Sequence, residues 1–146
     1  MPRNTKDFEF LEHTADIYIV AYGQDLAEAF ENAARAMFET MTDVDAIRPI
    51  IQETVEVKGE DKKELLYVWL EELLIRFDTS GRLYSRFDIK EITEISRGYE
   101  LRAIIYGESF DPARHVQKVG VKAITYHRME IEETSKGVTL KFILDI

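Results

Sequence analysis

The chain has 146 residues, 45% hydrophobic and 32% charged, with no cysteine and a formal net charge of −9. This composition suits one globular domain and is long enough for a core that needs no staple. The acidity argues against a protein whose main task is to grip nucleic-acid phosphates, and the lack of cysteine excludes disulfides, thiolate catalysis and zinc–thiolate sites.

The N-terminal Met-Pro-Arg-Asn-Thr-Lys-Asp has no apolar h-region. No apolar run approaches the roughly 20 residues of a transmembrane helix. With the cysteine usage, the expectation is a cytoplasmic protein. Abundant Glu and Lys without Cys would also suit a thermophile.

The first concentration of polar chemistry is Glu12-His13-Thr14-Ala15-Asp16, between Phe8, Phe10 and Leu11 on one side and Ile17, Ile19 and Val20 on the other. A strand over residues 17–22 closes at Gly23. Asp25 and Glu28 then form a capping box, in which each side chain satisfies a free backbone N–H of a helix start. Leu26, Phe30, Ala33, Ala34, Met37 and Met41 follow at helical spacing, predicting a helix over 26–41. Arg48-Pro49 interrupts, and residues 54–58 read as a strand. A second capping box, Asp61 with Glu64, opens a helix carrying Leu65, Leu66, Val68, Trp69, Leu70, Leu73, Leu74 and Phe77. It is apolar over more than half its girth, as a central core helix is. Thr79-Ser80-Gly81 ends it with a glycine C-cap.

Past residue 81 the period becomes two. Leu83, Ser85, Phe87 and Ile89 alternate with polar residues, as do Tyr99, Leu101, Ala103 and Ile105 after an Arg97-Gly98 turn. Residues 121–133 and 138–145 read as two long strands joined by a hairpin turn at Lys136-Gly137. Depending on that turn's length, His127 or Arg128 would lie opposite Asp145 and interact with it as a cross-strand neighbour. Residues 107–120 form the longest irregular segment, with room for a short helical turn. The predicted class is α+β, a single domain of two main amphipathic helices packed on largely antiparallel β-sheet.

Candidate chemistry is sparse. No phosphate-binding glycine loop and no nucleophile elbow is present. Asp16, Asp145 and the terminal carboxylate at Ile146 can supply three oxygens to a hard divalent cation, although spacing alone is equally met by a surface charge and a core anchor. Lys122, Tyr126, His127 and Arg128 form a local basic patch that could touch phosphate or an acidic partner, or could be the polar face of an ordinary strand.

Together, His13-Thr14-Ala15-Asp16-Ile17, Leu70-x-x-Leu73-Leu74, Lys122-Ala123-x-Thr125-Tyr126-His127 and the final Leu144-Asp145-Ile146 resemble the archease family, in order and separation, from about residue 7 to 146. The resemblance implies an accessory protein, not an enzyme, that activates an RtcB-type tRNA-splicing RNA ligase. It would promote the ligase's guanylylation and multiple turnover and broaden its nucleotide use. It also implies a divalent-metal site at Asp16 and Asp145, with Ile146 adding terminal oxygens. Calcium, magnesium and manganese all suit oxygen-only ligands. Glu12, His13, Lys122 and His127 are then candidates for supporting the site or touching the partner. Neither membrane association nor strong direct nucleic-acid binding is expected. Two competing readings use the same residues: a stand-alone metal-dependent phosphohydrolase, and a chaperone-like binding module.

Overall fold

The computed structural model of the chain describes residues 6–11 and 16–146. In chain order the elements are β1 (Phe8–Leu11), β2 (Ile17–Gly23), α1 (Leu26–Met41), a 3-10 turn (Val44–Ala46), β3 (Ile51–Gly59), α2 (Lys62–Ser80), β4 (Arg82–Ile95), β5 (Gly98–Ser109), β6 (Ala123–Ile124), β7 (Glu130–Thr134) and β8 (Gly137–Asp145).

The two helices start alike. Asp25 Oδ1 accepts the N–H of Glu28 at 2.8 Å, while Glu28 Oε1 accepts the N–H of Gln24 at 2.8 Å. Asp61, Glu64 and Glu60 repeat both bonds at 2.8 Å. Each box follows a glycine that ends a strand. A Cβ on Gly59 would sit 2.5 Å from Leu65 N, and one on Gly23 would sit 2.3 Å from Ala29 N. Only glycine lets the strand end lie this close to the first helical turn. At its other end α2 stops on Gly81, whose φ of 69° is the left-handed C-cap conformation.

All strand pairings are antiparallel and they form two sheets. One has the order β1-β2-β8-β6, with β7 also beside β8; the other is β3-β5-β4. Both helices lie between them. Helix α1 packs on β2 and β8 of the larger sheet and on β4 of the smaller, whereas α2 packs on β3 and β5 of the smaller and on β6 and β7 of the larger. That double coverage explains the wide apolar girth of α2. Ala29, Ala33, Ala34 and Ala36 are fully buried, so α1 presents little bulk to its neighbours. The helices are joined by Trp69, which is fully buried and donates its indole N–H to Phe30 O of α1 at 3.0 Å.

The expected strand over 121–133 is broken in two. Thr134 pairs with Gly137, so the hairpin turn is Ser135-Lys136, and β7 runs back only to Glu130 opposite Lys141. Strand β6 follows a different register, with Ala123 opposite Asp145 and Ile124 opposite Leu144. Extended backwards, the β7 register would have set Tyr126 against Asp145, so the intervening chain contributes three extra residues. They form a tight turn in which Met129 N–H donates to Tyr126 O at 3.1 Å and Arg128 adopts a φ of 56°. Burial of Met129, only 4% exposed, holds the turn in place. Neither His127 nor Arg128 therefore faces Asp145; the cross-strand neighbour is Ala123.

Replacing Trp69 with Phe removes the bond to Phe30 O and leaves unfilled space, so unfolding free energy should fall by about 2–4 kcal/mol in a denaturant titration. Gly59→Ala should cost about 1–3 kcal/mol in the same measurement, because the nearest obstruction is backbone and cannot swing aside.

Candidate functional site

The end of β8 is held on both sides. On one side Ile17 of β2 pairs with Leu144. On the other Ala123 pairs with Asp145, and Lys122 N–H donates to Asp145 O at 2.7 Å. Thr125 adds its N–H and its hydroxyl to Ile143 O, at 3.2 and 3.0 Å. Phe142, Ile143 and Leu144 are buried in succession, and Asp145 is the first exposed residue after them. The β2–β8 pairing ends at Ile17 opposite Leu144, so the adjacent half-buried Asp16 and exposed Asp145 flank that last pair at the same end of the sheet. Ile146 follows immediately. Asp16 and Asp145, 129 positions apart in the chain, are thus brought to the same end of one sheet because β8 pairs with β2.

Glu12 and His13 lie outside the described residues. Among the described residues no cluster of three His, Cys, Asp or Glu side chains is assembled that could hold a metal ion. The edge offers two side-chain carboxylates plus the main-chain oxygens at Ile146. That donor set fits a hard cation that completes its shell with water or a partner's oxygens, and does not fit a closed nitrogen–sulfur site.

Lys122 and His127 are exposed, and neither is an element of a cross-strand pair with Asp145. Tyr126 stacks on Tyr67 of α2, with ring centroids 4.4 Å apart and planes at 9°. Its phenol is shifted up by burial first, then by the nearby carboxylates of Glu64, Asp61 and Glu71. The expected basic patch is therefore mixed, with Lys122, His127 and Arg128 exposed to solvent and an acidic stretch of α2 on the far side of Tyr126. A non-glycine residue at positive φ, such as Arg128, is uncommon and held only by its surroundings. Sequence periodicity carried no sign of it.

The irregular segment after β5 is organised by a buried charge that sequence spacing did not reveal. Glu108, with its side chain 5% exposed, accepts the N–H of Arg48 at 2.7 Å, the Arg48 Nε at 3.1 Å and the Arg114 guanidinium at 2.9 Å. His115 Nδ1 accepts the N–H of Asp111 at 2.9 Å, so its proton resides on Nε2, which donates to Glu108 Oε2 at 2.9 Å. Burial alone would raise the Glu108 pKa. The bonds from Arg48, Arg114 and His115 outweigh it and hold the carboxyl down to about 2. His115 is a core histidine that anchors this segment. Beyond it, Lys118 and Val119 N–H groups donate to Met41 O and Thr40 O at the end of α1. Asp111, with Ala113 N–H on its Oδ1 and Arg114 and His115 N–H groups on its carbonyl, builds the single helical turn expected in this stretch.

No helix among the described residues is long and apolar enough to cross a membrane. The architecture, two helices between two antiparallel sheets with the terminal strand central, defines a small α+β class with known relatives. The Archease protein family matches residues 8–146. A protein archease from Sulfurisphaera tokodaii is 47% identical over 139 residues, covering 95% of this chain and 98% of that one. One from Pyrococcus abyssi is 46% identical over 132 residues, covering 90% and 92%. The solution structure of Methanobacterium thermoautotrophicum protein 1598 superimposes with a TM-score of 0.84 at 42% identity, covering 96% of this chain and 99% of that one. The crystal structure of a Thermotoga maritima protein, described as an archease and possible chaperone, shares the fold with a TM-score of 0.62 at 18% identity, covering 93% and 94%. The chain belongs to the archease family.

Glu108 should make stability fall steeply in acid. Its pKa is about 2 folded and near 4.5 unfolded, so its contribution is complete above pH 4.5 and is lost as pH falls towards 2. Between pH 5.5 and 2.5 the native protein should lose roughly 2 kcal/mol more unfolding free energy than Glu108→Gln, measured by urea titration at each pH.

Proposed function

We propose that this chain activates an RtcB-type tRNA-splicing RNA ligase in the cytoplasm, promoting guanylylation and multiple turnover and broadening the ligase's nucleotide use. In this reading it acts through a divalent ion held by Asp16, Asp145 and Ile146, with no catalytic residue of its own. Membership of the archease family supports the partner. The single observation that supports the site is the β2–β8 register, whose last pair, Ile17 with Leu144, is flanked by Asp16 and Asp145.

Carboxylates brought to one end of a sheet are oxygen donors of the kind a hard cation takes. When bound, such an ion supplies Lewis acidity towards a phosphoryl oxygen. The chain's own contribution is positional. The pairing of Ile17 with Leu144 and of Ala123 with Asp145 holds the Asp145 backbone in place. Glu12 and His13 are proposed to support the carboxylates, and Lys122 and His127 to touch the partner. Magnesium and manganese are the physiological candidates, and calcium fits the same oxygen donors.

Guanylylation of the ligase, followed with and without sub-stoichiometric amounts of this protein, tests the reading. Stimulation is expected; none would overturn it. Asp16→Asn and Asp145→Asn keep the shape and remove a charge, and each should weaken manganese binding by about 10- to 100-fold in calorimetry while abolishing most of the stimulation. Full stimulation by both variants would favour a chaperone-like module without metal chemistry. Robust phosphoester hydrolysis by the protein alone would favour an enzyme.

A further inference from the structure

The smaller sheet ends on a long, regular edge. Strand β3 has nine residues, pairs with β5 without a bulge, and has no strand on its other side among the described residues. An exposed strand edge is a template for a further strand, and proteins normally shorten, bulge or cap it. The other edges here are treated in that way. Strand β4 is bulged at Tyr84–Arg86 and at Ile89–Glu91, and Glu31 Oε2 already accepts the Ile89 N–H at 2.8 Å. In the larger sheet β1 has four residues, β6 two and β7 five.

The face of the smaller sheet turned away from the helices carries rows of alternating charge that run out to the β3 edge. Arg102 of β5 lies between Glu91 of β4, at 2.9 Å, and Glu56 of β3, at 3.4 Å. In the next row Glu100 of β5 lies 3.7 Å from Lys58 of β3. The edge therefore shows a carboxylate and an ammonium two residues apart, their side chains 65% and 68% exposed. Such a strand is complementary to itself. In an antiparallel pairing about a two-fold axis at Val57, Glu56 of each copy stands opposite Lys58 of the other, and both rows cross the axis with their signs still alternating. Opposite charges are favourable on directly opposed residues and like charges are not. An axis at Glu56 or at Lys58 would set like charges face to face, and one at Val55 would set Glu56 against Thr54 and Lys58 against Gln52. Charge thus selects one register. On the opposite face that register brings the half-buried Val57 against its counterpart. Over residues 55–59 it adds about four to six main-chain hydrogen bonds.

We propose that β3 pairs with β3 of a second copy of this chain, centred on Val57, to form a two-fold dimer with one continuous six-stranded sheet. A two-fold contact uses the same patch on both copies, which is what the Glu56–Lys58 arrangement fits. The paired segment is short, so the dimer belongs to the weak class of interfaces. The inference does not depend on the ligase assignment or on Asp16 and Asp145.

Sedimentation equilibrium of the full chain from micromolar to millimolar concentration, in about 0.15 M salt, tests it. The unchanged protein should approach a dimer at the upper end, and the NMR amide signals of residues 55–59 should shift on dilution. Glu56→Lys and Lys58→Glu each set two like-charged pairs across the axis, so each alone should weaken dimerisation by about 5- to 30-fold. Mixed in equal amounts, the two variants present opposite charges in both rows and should associate about as tightly as the unchanged protein. That recovery distinguishes a direct contact from a damaged fold, which mixing does not repair. Three results would overturn the proposal: a protein that stays monomeric at millimolar concentration, leaving the edge to a strand of some other protein; single variants that associate as tightly as the unchanged chain; or a mixture that associates no better than its components.

Discussion

The burial of two helices between two sheets is the constraint from which the rest follows. A helix covered on one side needs one apolar stripe; α2 is covered by β3 and β5 on one side and by β6 and β7 on the other, and its sequence is correspondingly apolar over most of its girth. Inside such a layer every main-chain and indole polar group needs a partner. Trp69 finds its partner in the Phe30 carbonyl, which locks the two helices to each other at the centre of the core. The close strand-to-helix junctions at Gly23 and Gly59 are the same constraint felt at the ends, since each helix must begin directly under the sheet it has just left.

Because both sheets must close over the helices, the last strand becomes central. β8 lies between β2 and the β6–β7 pair, so Leu144 and Asp145 are held by Ile17 of β2 and Ala123 of β6. This brings Asp16 and Asp145, which flank the Ile17–Leu144 pair, to the same end of one sheet. The same edge displays Lys122 and His127 next to an acidic helix face, a surface of mixed sign and not a phosphate grip.

The irregular parts of the chain are each held by one buried group. Met129 fixes the turn that interrupts β6 and β7, and the Glu108–His115 pair fixes the segment after β5. Neither segment has regular hydrogen bonding of its own, so its conformation rests on these anchors. A carboxylate as buried as Glu108 is tolerable only because an N–H, two guanidinium groups and an imidazole converge on it. The strap that results also lines an apolar pocket at the end of α1.

Local signals determined much of this protein without tertiary help. The capping boxes at Asp25 and Asp61, the helices over 26–41 and from Asp61 to Gly81, the strands that alternate after residue 81, and the α+β class all follow from hydrogen-bond needs and periodicities that act within a few residues. Asp16, Asp145 and Ile146 were visible as chemistry, but their spacing could not distinguish a site from surface charges. What only the tertiary structure decided was pairing over distance: the place of β8 between β2 and β6, the three-residue break that sets Ala123 and not His127 or Arg128 opposite Asp145, and the convergence of Arg48 on Glu108 across 60 residues. The physical reason is that a period-two pattern specifies which face of a strand is buried but not its partner or its register across a turn, and those are chosen by whichever distant groups, such as Met129, must also be buried.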